Sequence, residues 1–366
     1  MSSVFRNSQW VIGVLLTSLL CASCGMMTDE REHCPTGLYV MFKYDYNLQR
    51  ANMFCDHVEA VTLYIYNEQG ELQRTEQAYN TPIAAPLRDA GYKMHITGLK
   101  PGKYQFIALA GQRPYEEMLA DHNRARFVRN EPGIGDPMQQ LDITLDHQPV
   151  PSGEGVYTVD NLAAPLDTLW HGMSHQTVEI KAADVPVYET ISLVRDTKKI
   201  NITLRELDEP QLMNIDDYEL TIIDRNAHIL WDNSLDETHT VVYTPHATWN
   251  TEDLPVIGND AAPGRMGHAD FMTSRILKHI RPDDDAVLQI VKKSTGSIVA
   301  RVNLADYLSR LRVAEERYIY TPQEFLDRGY DYRLTFFLCG DTFQYVSIEI
   351  SVLSWSIRVQ NENLGE

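Results

Sequence analysis

Leu38-Tyr-Val-Met-Phe-Lys-Tyr-Asp-Tyr46 decides the fold. Leu38, Val40, Phe42, Tyr44 and Tyr46 alternate with Tyr39, Met41, Lys43 and Asp45, the period of two that places one side-chain set on a core face. Val61, Leu63 and Ile65 repeat the pattern and end at Asn67-Glu-Gln-Gly70, a turn. Met94-His-Ile96, Tyr104-Gln-Phe106-Ile-Ala108 and the Leu141, Ile143, Leu145 set continue it. Pro101-Gly102 suits the centre of a type II turn, with glycine taking the positive φ, so Gly102→Val is expected to destabilise the protein.

The second half starts afresh at Thr190 to Val194 and Ile200 to Leu204. Strand candidates follow at Tyr218 to Ile223, Thr240 to Tyr243, Ala286 to Val291, Ile298 to Val302, Tyr332 to Leu338 and Tyr345 to Val352. Short helical insertions interrupt them. The clearest is Thr321-Pro-Gln-Glu324, a capping threonine, proline at N1 and glutamate at N3, read as a surface crossover that ends near Gly329. The expectation is an all-β protein of antiparallel sheets packed face to face, one theme used twice, with a boundary at 184/185 between residues 34–184 and 185–366.

Ahead of these strands, Arg6 precedes the apolar run from Trp10, and Ala22-Ser23 stand before Cys24. The run is shorter than the ~20 apolar residues of a spanning helix and has signal-peptide length. Residues 1–23 resemble a bacterial lipoprotein signal, with Cys24 as the lipidation site and 24–33 as an acidic tether. An ordinary secretory signal with an incidental cysteine is the alternative. Either takes the protein out of the cytoplasm.

The formal charge is −19, from 32 basic against 51 acidic residues. No long basic run offsets it, so nucleic acid is not an expected partner, and the folded surface offers no footprint for anionic lipid. Cys34 and Cys55 stand before successive strand candidates, so an export-compartment disulfide between them is a candidate whose geometry the sequence leaves open. Cys339 is then a lone thiol, a small buried hydrophobe at a strand end.

Catalytic and metal patterns are weak. His171 and His175, His268 and Asp270, and His279 with Asp283-Asp-Asp285 lack the compact spacing of a zinc or calcium site. Ser152-Gly153 lacks the flanking glycines of a nucleophile elbow. The tyrosines lie mostly within alternating strands, where cross-strand packing accounts for them. No enzyme activity, metal or cofactor is expected.

Cys34-Pro-Thr-Gly-Leu-Tyr-Val-Met-Phe-Lys-Tyr-Asp-Tyr-Asn47, with Val58 to Gly70 at similar spacing, resembles the opening of the FimB-type fimbrial anchor family of Bacteroides and Porphyromonas relatives. So do Gly98-Leu-Lys-Pro-Gly-Lys-Tyr104, Asp167-Thr-Leu-Trp-His-Gly172, Leu193-Val-Arg195, Tyr332 to Leu338 and Trp355-Ser-Ile-Arg358. The resemblance implies two tandem transthyretin-like β-sandwich domains. It also implies a lipoprotein of the cell outer membrane, carrying acyl chains such as palmitate on Cys24, that holds a fimbria at the surface. Its partners would be a fimbrial shaft subunit and accessory subunits. Tyr44, Asp45, Tyr46, Asn47 and Trp355 carry over as structural positions.

An anchor that keeps its lipid keeps its first strand. It is therefore expected to meet the shaft through its C-terminal end, with Trp355, Ile357 and Val359 as candidate contacts. Alternatively these three complete the second core. A surface adhesin or glycan-binding tip subunit is the competing functional reading.

Overall fold

The computed structural model describes residues 37–150, 155–159, 162–181, 185–252, 263–312, 319–340, 342–352 and 355–361. Cys24, the tether and Cys34 lie outside the described residues. Among those described are twenty-three strands, numbered here in chain order.

The first sheet runs β3 (Leu72–Tyr79), β2 (Ala60–Asn67), β5 (Gly102–Gly111), β10 (Leu169–Met173), β12 (Val187–Arg195), β1 (Leu38–Lys43) and β4 (Met94–Ile96), with β11 (Val178–Ile180) beside β5. The deciding stretch behaves as read. Leu38, Val40 and Phe42 are buried, while Tyr39 and Met41 are partly buried and Lys43 is exposed. β12 pairs with β1 through Val187–Ser192 and with β10 through Leu193–Arg195, so one strand serves both leaves. The sheet thereby closes over a core of Leu38, Val40, Phe42, Leu63, Ile65, Phe106, Trp170 and Leu193. Each large apolar side chain buried there contributes roughly 1.5–3 kcal/mol.

A three-stranded sheet of β6 (Phe127–Asn130), β7 (Asp142–Leu145) and β15 (His228–Leu230) packs on the outer face of the first. Tyr64, Tyr66, Ile107 and Leu109 meet Phe127, Ile143 and Leu145 there. That contact is why β2 is buried on both faces. The next sheet runs β20 (Ser297–Asn303), β19 (Val287–Lys292), β14 (Tyr218–Asp224), β16 (Thr240–Tyr243), β9 (Val156–Val159) and β8 (Gln148–Pro149). The last runs β17 (Ala247–Glu252), β18 (Arg265–Thr273), β13 (Lys198–Glu206), β21 (Asp331–Cys339), β22 (Thr342–Val352) and β23 (Trp355–Asn361). Ile200, Ile202, Phe271, Leu334 and Phe336 join Leu220, Ile222, Leu288 and Ile290 in a core continuous with the three-stranded sheet.

The protein is thus mostly β-sheet, as expected, and the described strands depart from the expected pattern at several points. The first sheet extends through Arg195, beyond the expected boundary at 184/185, because β12 is the parallel partner of β1. The halves interleave: β7 pairs with β15, and β9 with β16. The sheets are not wholly antiparallel, since β1–β12, β9–β16 and β13–β21 run parallel. Gly102 is not among the positive-φ glycines, whereas Gly98, earlier in the same loop, has φ 75°. A Cβ on Gly102 would meet only the Tyr104 side chain, at 3.6 Å or more, an ordinary contact.

Four α-helices are described. They are α1 (Phe54–His57), α2 (Tyr115–Ala120), α3 (Leu304–Ser309) and α4 (Pro322–Arg328). α4 starts as predicted, with the Thr321 hydroxyl accepting from the Glu324 N–H at 3.1 Å. The Glu324 carboxylate binds Arg328 instead of completing a capping box. Nor is α4 a surface crossover, since Phe325, Leu326 and Asp327 are buried.

Candidate functional site: the connector and the terminal sheet edge

Arg195-Asp196-Thr197-Lys198 carries the chain from β12 into β13, and all four residues are buried. Such polar residues ordinarily form an exposed turn, so each needs a partner here. The Lys198 ammonium donates to the carbonyls of Arg195 (3.2 Å), Asp327 (3.1 Å) and Gly329 (2.9 Å). Two of these carbonyls belong to the C-terminal end of α4, where a cation is favoured by the helix dipole.

Burial still pushes the Lys198 pKa below that of an ordinary lysine, against the pull of Asp327 and Asp196. Asp196 is pushed up by the same burial, and accepts from the Asn233 amide at 3.1 Å. Arg275 grips Asp327 with two parallel bonds of 2.8 Å. Burial alone would lower the Arg275 pKa; the Asp327 bonds outweigh it and hold it raised. Arg195 lies over the Tyr330 ring at 4.2 Å and the Trp170 ring at 5.6 Å, and burial lowers its pKa. Groups from β10, α4, Tyr330 and the loop at 233 therefore converge on the connector residues. The connector is a buried clamp and does not have the open backbone of a hinge.

Among the described residues, β23 pairs with β22 and forms an edge of its sheet. Trp355, Ile357 and Val359 occupy alternate positions opposite Val352, Ile350 and Ile348. Through β22 the last two register with Tyr332 and Leu334 of β21, both buried. The strand edge itself offers backbone donors and acceptors to a partner.

The other expected positions separate. Cys55 is partly buried on α1 and has no bridge to a described residue. Cys339 ends β21 as a free thiol, but it is only partly buried and donates its S–H to Asp208 at 2.7 Å, so it is not the buried hydrophobe expected. His171 is buried, its Nε2 2.9 Å from the Trp231 carbonyl, and burial pushes its pKa down to about 4. His175 is exposed. His268 is held between the Thr203 and Thr251 hydroxyls, while Asp270 accepts from Asn201. His279 faces Asp285 and Glu237, and Asp285 is a buried anchor for Lys278 and Asn303. Among the described residues no three His, Cys, Asp or Glu gather to hold a metal ion.

These features define a multi-sheet β-protein whose conspicuous polar cluster ties its parts together. Residues 31–361 match the family described as fimbrillin-A associated anchor proteins Mfa1 and Mfa2, and the chain belongs to that family. The family associates it with cell-surface fimbriae and with other fimbrial subunits. The fimbrial-anchor family expected from the sequence is the one found.

Among solved structures, the chain is similar to a candidate adhesin from Bacteroides thetaiotaomicron VPI-5482. Identity is 25%, over 89% of this chain and 98% of that one, with TM-score 0.68. A candidate polysaccharide-binding protein from the same organism is 26% identical over 88% and 98%, with TM-score 0.64. The fimbrial anchor protein Mfa2 from Porphyromonas gingivalis shares the fold at 18% identity over 88% and 99%, with TM-score 0.56. No curated protein matches the chain.

Proposed function

We propose that this chain is a non-enzymatic outer-membrane lipoprotein, held by lipid on Cys24, that anchors a fimbria at the cell surface. The observation that carries the proposal is the position of Ala22-Ser23-Cys24, which closes a signal-length apolar run just ahead of residue 31, where the match to the anchor family begins. A short tether then leads to two transthyretin-like sandwiches. The buried connector supports this reading, because an anchor passes load from a polymer to a membrane. Ionic hydrogen bonds across the connector resist separation of the two sheets better than an open linker.

The shaft subunit would add to the edge at β23, where backbone bonds give strength and Trp355, Ile357 and Val359 give fit. Mass spectrometry of the mature N-terminus tests the lipid, with an acylated Cys24 expected. An unmodified terminus at another residue overturns it. Truncation after Ser354 tests the edge. The shortened protein should fold and reach the membrane yet leave fimbriae in the medium; a folded product that still retains fimbriae removes β23 from the contact.

A tip adhesin is the second reading, supported by the similarity to a candidate adhesin. Immunogold label at fimbrial tips and not at their bases would favour it.

A further inference from the structure

Lys278, Asp285 and Asn303 meet between the last two sheets. Lys278 follows β18 of the terminal sheet, Asp285 precedes β19, and Asn303 ends β20 of the neighbouring sheet. The Asp285 side chain has no exposed surface, and that of Lys278 is 20% exposed. Ala286 and Leu304, the next residues along, are both buried. The Leu304 N–H donates to the Ala286 carbonyl at 2.7 Å, which fixes the two backbones beside each other. The Lys278 N–H donates to the Gln323 side chain at 2.7 Å, so the lysine backbone is held as well.

A carboxylate commonly binds a lysine or an asparagine. Here a single oxygen binds both: Oδ2 of Asp285 accepts from Lys278 Nζ and, at 2.8 Å, from Asn303 Nδ2. The lysine nitrogen thus stands beside the Asn303 carboxamide. That carboxamide is fixed on its other sides. Its Oδ1 accepts from the Asp306 N–H at 2.8 Å, and its Nδ2 also donates to the Pro282 carbonyl at 3.1 Å. A nucleophilic nitrogen, a proton acceptor and an acyl group whose oxygen faces a backbone donor are the parts needed for amide exchange. Held together by the fold, they react at high effective concentration.

We propose that Lys278 and Asn303 become joined by an intramolecular isopeptide bond, with Asp285 passing the protons.

Asp285 takes a proton from Lys278, and the freed lone pair on Nζ forms a bond to Cγ of Asn303. The carbonyl π pair moves onto Oδ1, opposite the Asp306 N–H, and returns as the bond from Cγ to Nδ2 breaks. Lysine gives up two protons, which Asp285 hands to the departing nitrogen. Ammonium leaves, and Asp285 ends as the carboxylate it began as. No oxidant or co-reactant enters. Burial raises the Asp285 pKa, but the bonds from Lys278, the His279 N–H and Asn303 outweigh it and hold the carboxyl below its usual range. The neutral amine is therefore scarce, and the bond forms slowly after folding, once in the life of each chain. The product ties the β18 sheet to the β20 sheet covalently, and it does not rest on the anchor reading.

Mass spectrometry of the intact folded protein, followed over time, tests the bond. The parent should come to weigh about 17 Da less than the sequence between its observed termini, the mass of one ammonia. Trypsin should then release a branched peptide joining the segments that carry Lys278 and Asn303. Lys278→Arg and Asp285→Asn should keep the full mass, with circular dichroism confirming that each is folded. A folded parent that keeps its full mass overturns the proposal, and that measurement needs no variant. So does a mass loss without the branched peptide, the result of an asparagine cyclising on its own backbone. A branched peptide that forms equally fast in Asp285→Asn also overturns it, because Asp285 then passes no proton. Retention of fimbriae by cells is a separate readout, so failure here leaves the anchor reading standing.

Discussion

Asp327 shows how much one residue can hold. It is buried, binds Arg275 through both carboxylate oxygens and lends its carbonyl to Lys198. Asp327→Ala leaves the Arg275 charge buried without its partner, a loss of about 3–5 kcal/mol. Lys198→Met removes the cation and its bonds together, and should cost only about 1–3 kcal/mol for the carbonyls left unpaired. Urea unfolding of the two variants measures the difference, and equal losses would argue against the ion pair as the stronger tie. His171 gives a pH dependence. Its pKa is about 4 in the folded protein, against an unperturbed 6.5. Between these values the unfolded chain takes up a proton that the folded protein refuses. Stability contributed by His171 is therefore complete above pH ~6.5 and falls by up to ~3 kcal/mol as the pH drops to ~4. His171→Gln should remove that part of the slope while keeping a donor for the Trp231 carbonyl. Glycine was legible only in part at this scale. Gly70 takes the predicted turn, with φ 79°. Gly172 gave no sequence signal, yet a Cβ there would stand 2.7 Å from both Ile191 and Leu193. Gly172→Ala should cost roughly 1–3 kcal/mol by overpacking, whereas Gly102→Ala should fall within about 0.5 kcal/mol of the parent.

Elements were read well where one face meets one core. β1 alternates as its sequence says, and Thr321-Pro-Gln-Glu324 begins a helix with its threonine as cap. Thr321→Ala should lower stability by about 1 kcal/mol in thermal denaturation. What alternation could not reveal is burial on both faces. Val61, Leu63 and Ile65 gave the core side of β2, but Tyr64 and Tyr66 are buried too, against Phe127, Ile143 and Leu145 from another sheet. The inward packing of α4 was hidden for a similar reason. Its buried face depends on Lys198 and Arg275, more than fifty residues or more than a hundred away in sequence. Arg195-Asp196-Thr197-Lys198 reads as a solvated turn, because nothing local reports the rings and carboxylates brought to it.

For the whole molecule, the all-β class and the family were legible from repeated alternation and from the blocks at Cys34–Asn47 and Val58–Gly70. The interleaving was not, because strand pairing over long separations leaves no periodic trace in either strand. Residues 34–184 lack β12, the parallel partner of β1, and would expose the β7 edge that β15 covers. Expressed alone, that half should fail to show a cooperative transition, and the same fragment extended to Arg195 should still be less stable than the intact chain. A cooperatively folding 34–184 fragment would contradict the interleaved architecture. Holding fimbriae on the cell is the role proposed for this protein. The most direct measurement is a count of cell-attached against shed fimbriae in a strain lacking the gene, complemented with either the parent chain or Cys24→Ala. The anchor account predicts fimbriae in the medium for the deletion and for Cys24→Ala, with attachment restored by the parent. Fimbriae that remain attached in the deletion strain would contradict it.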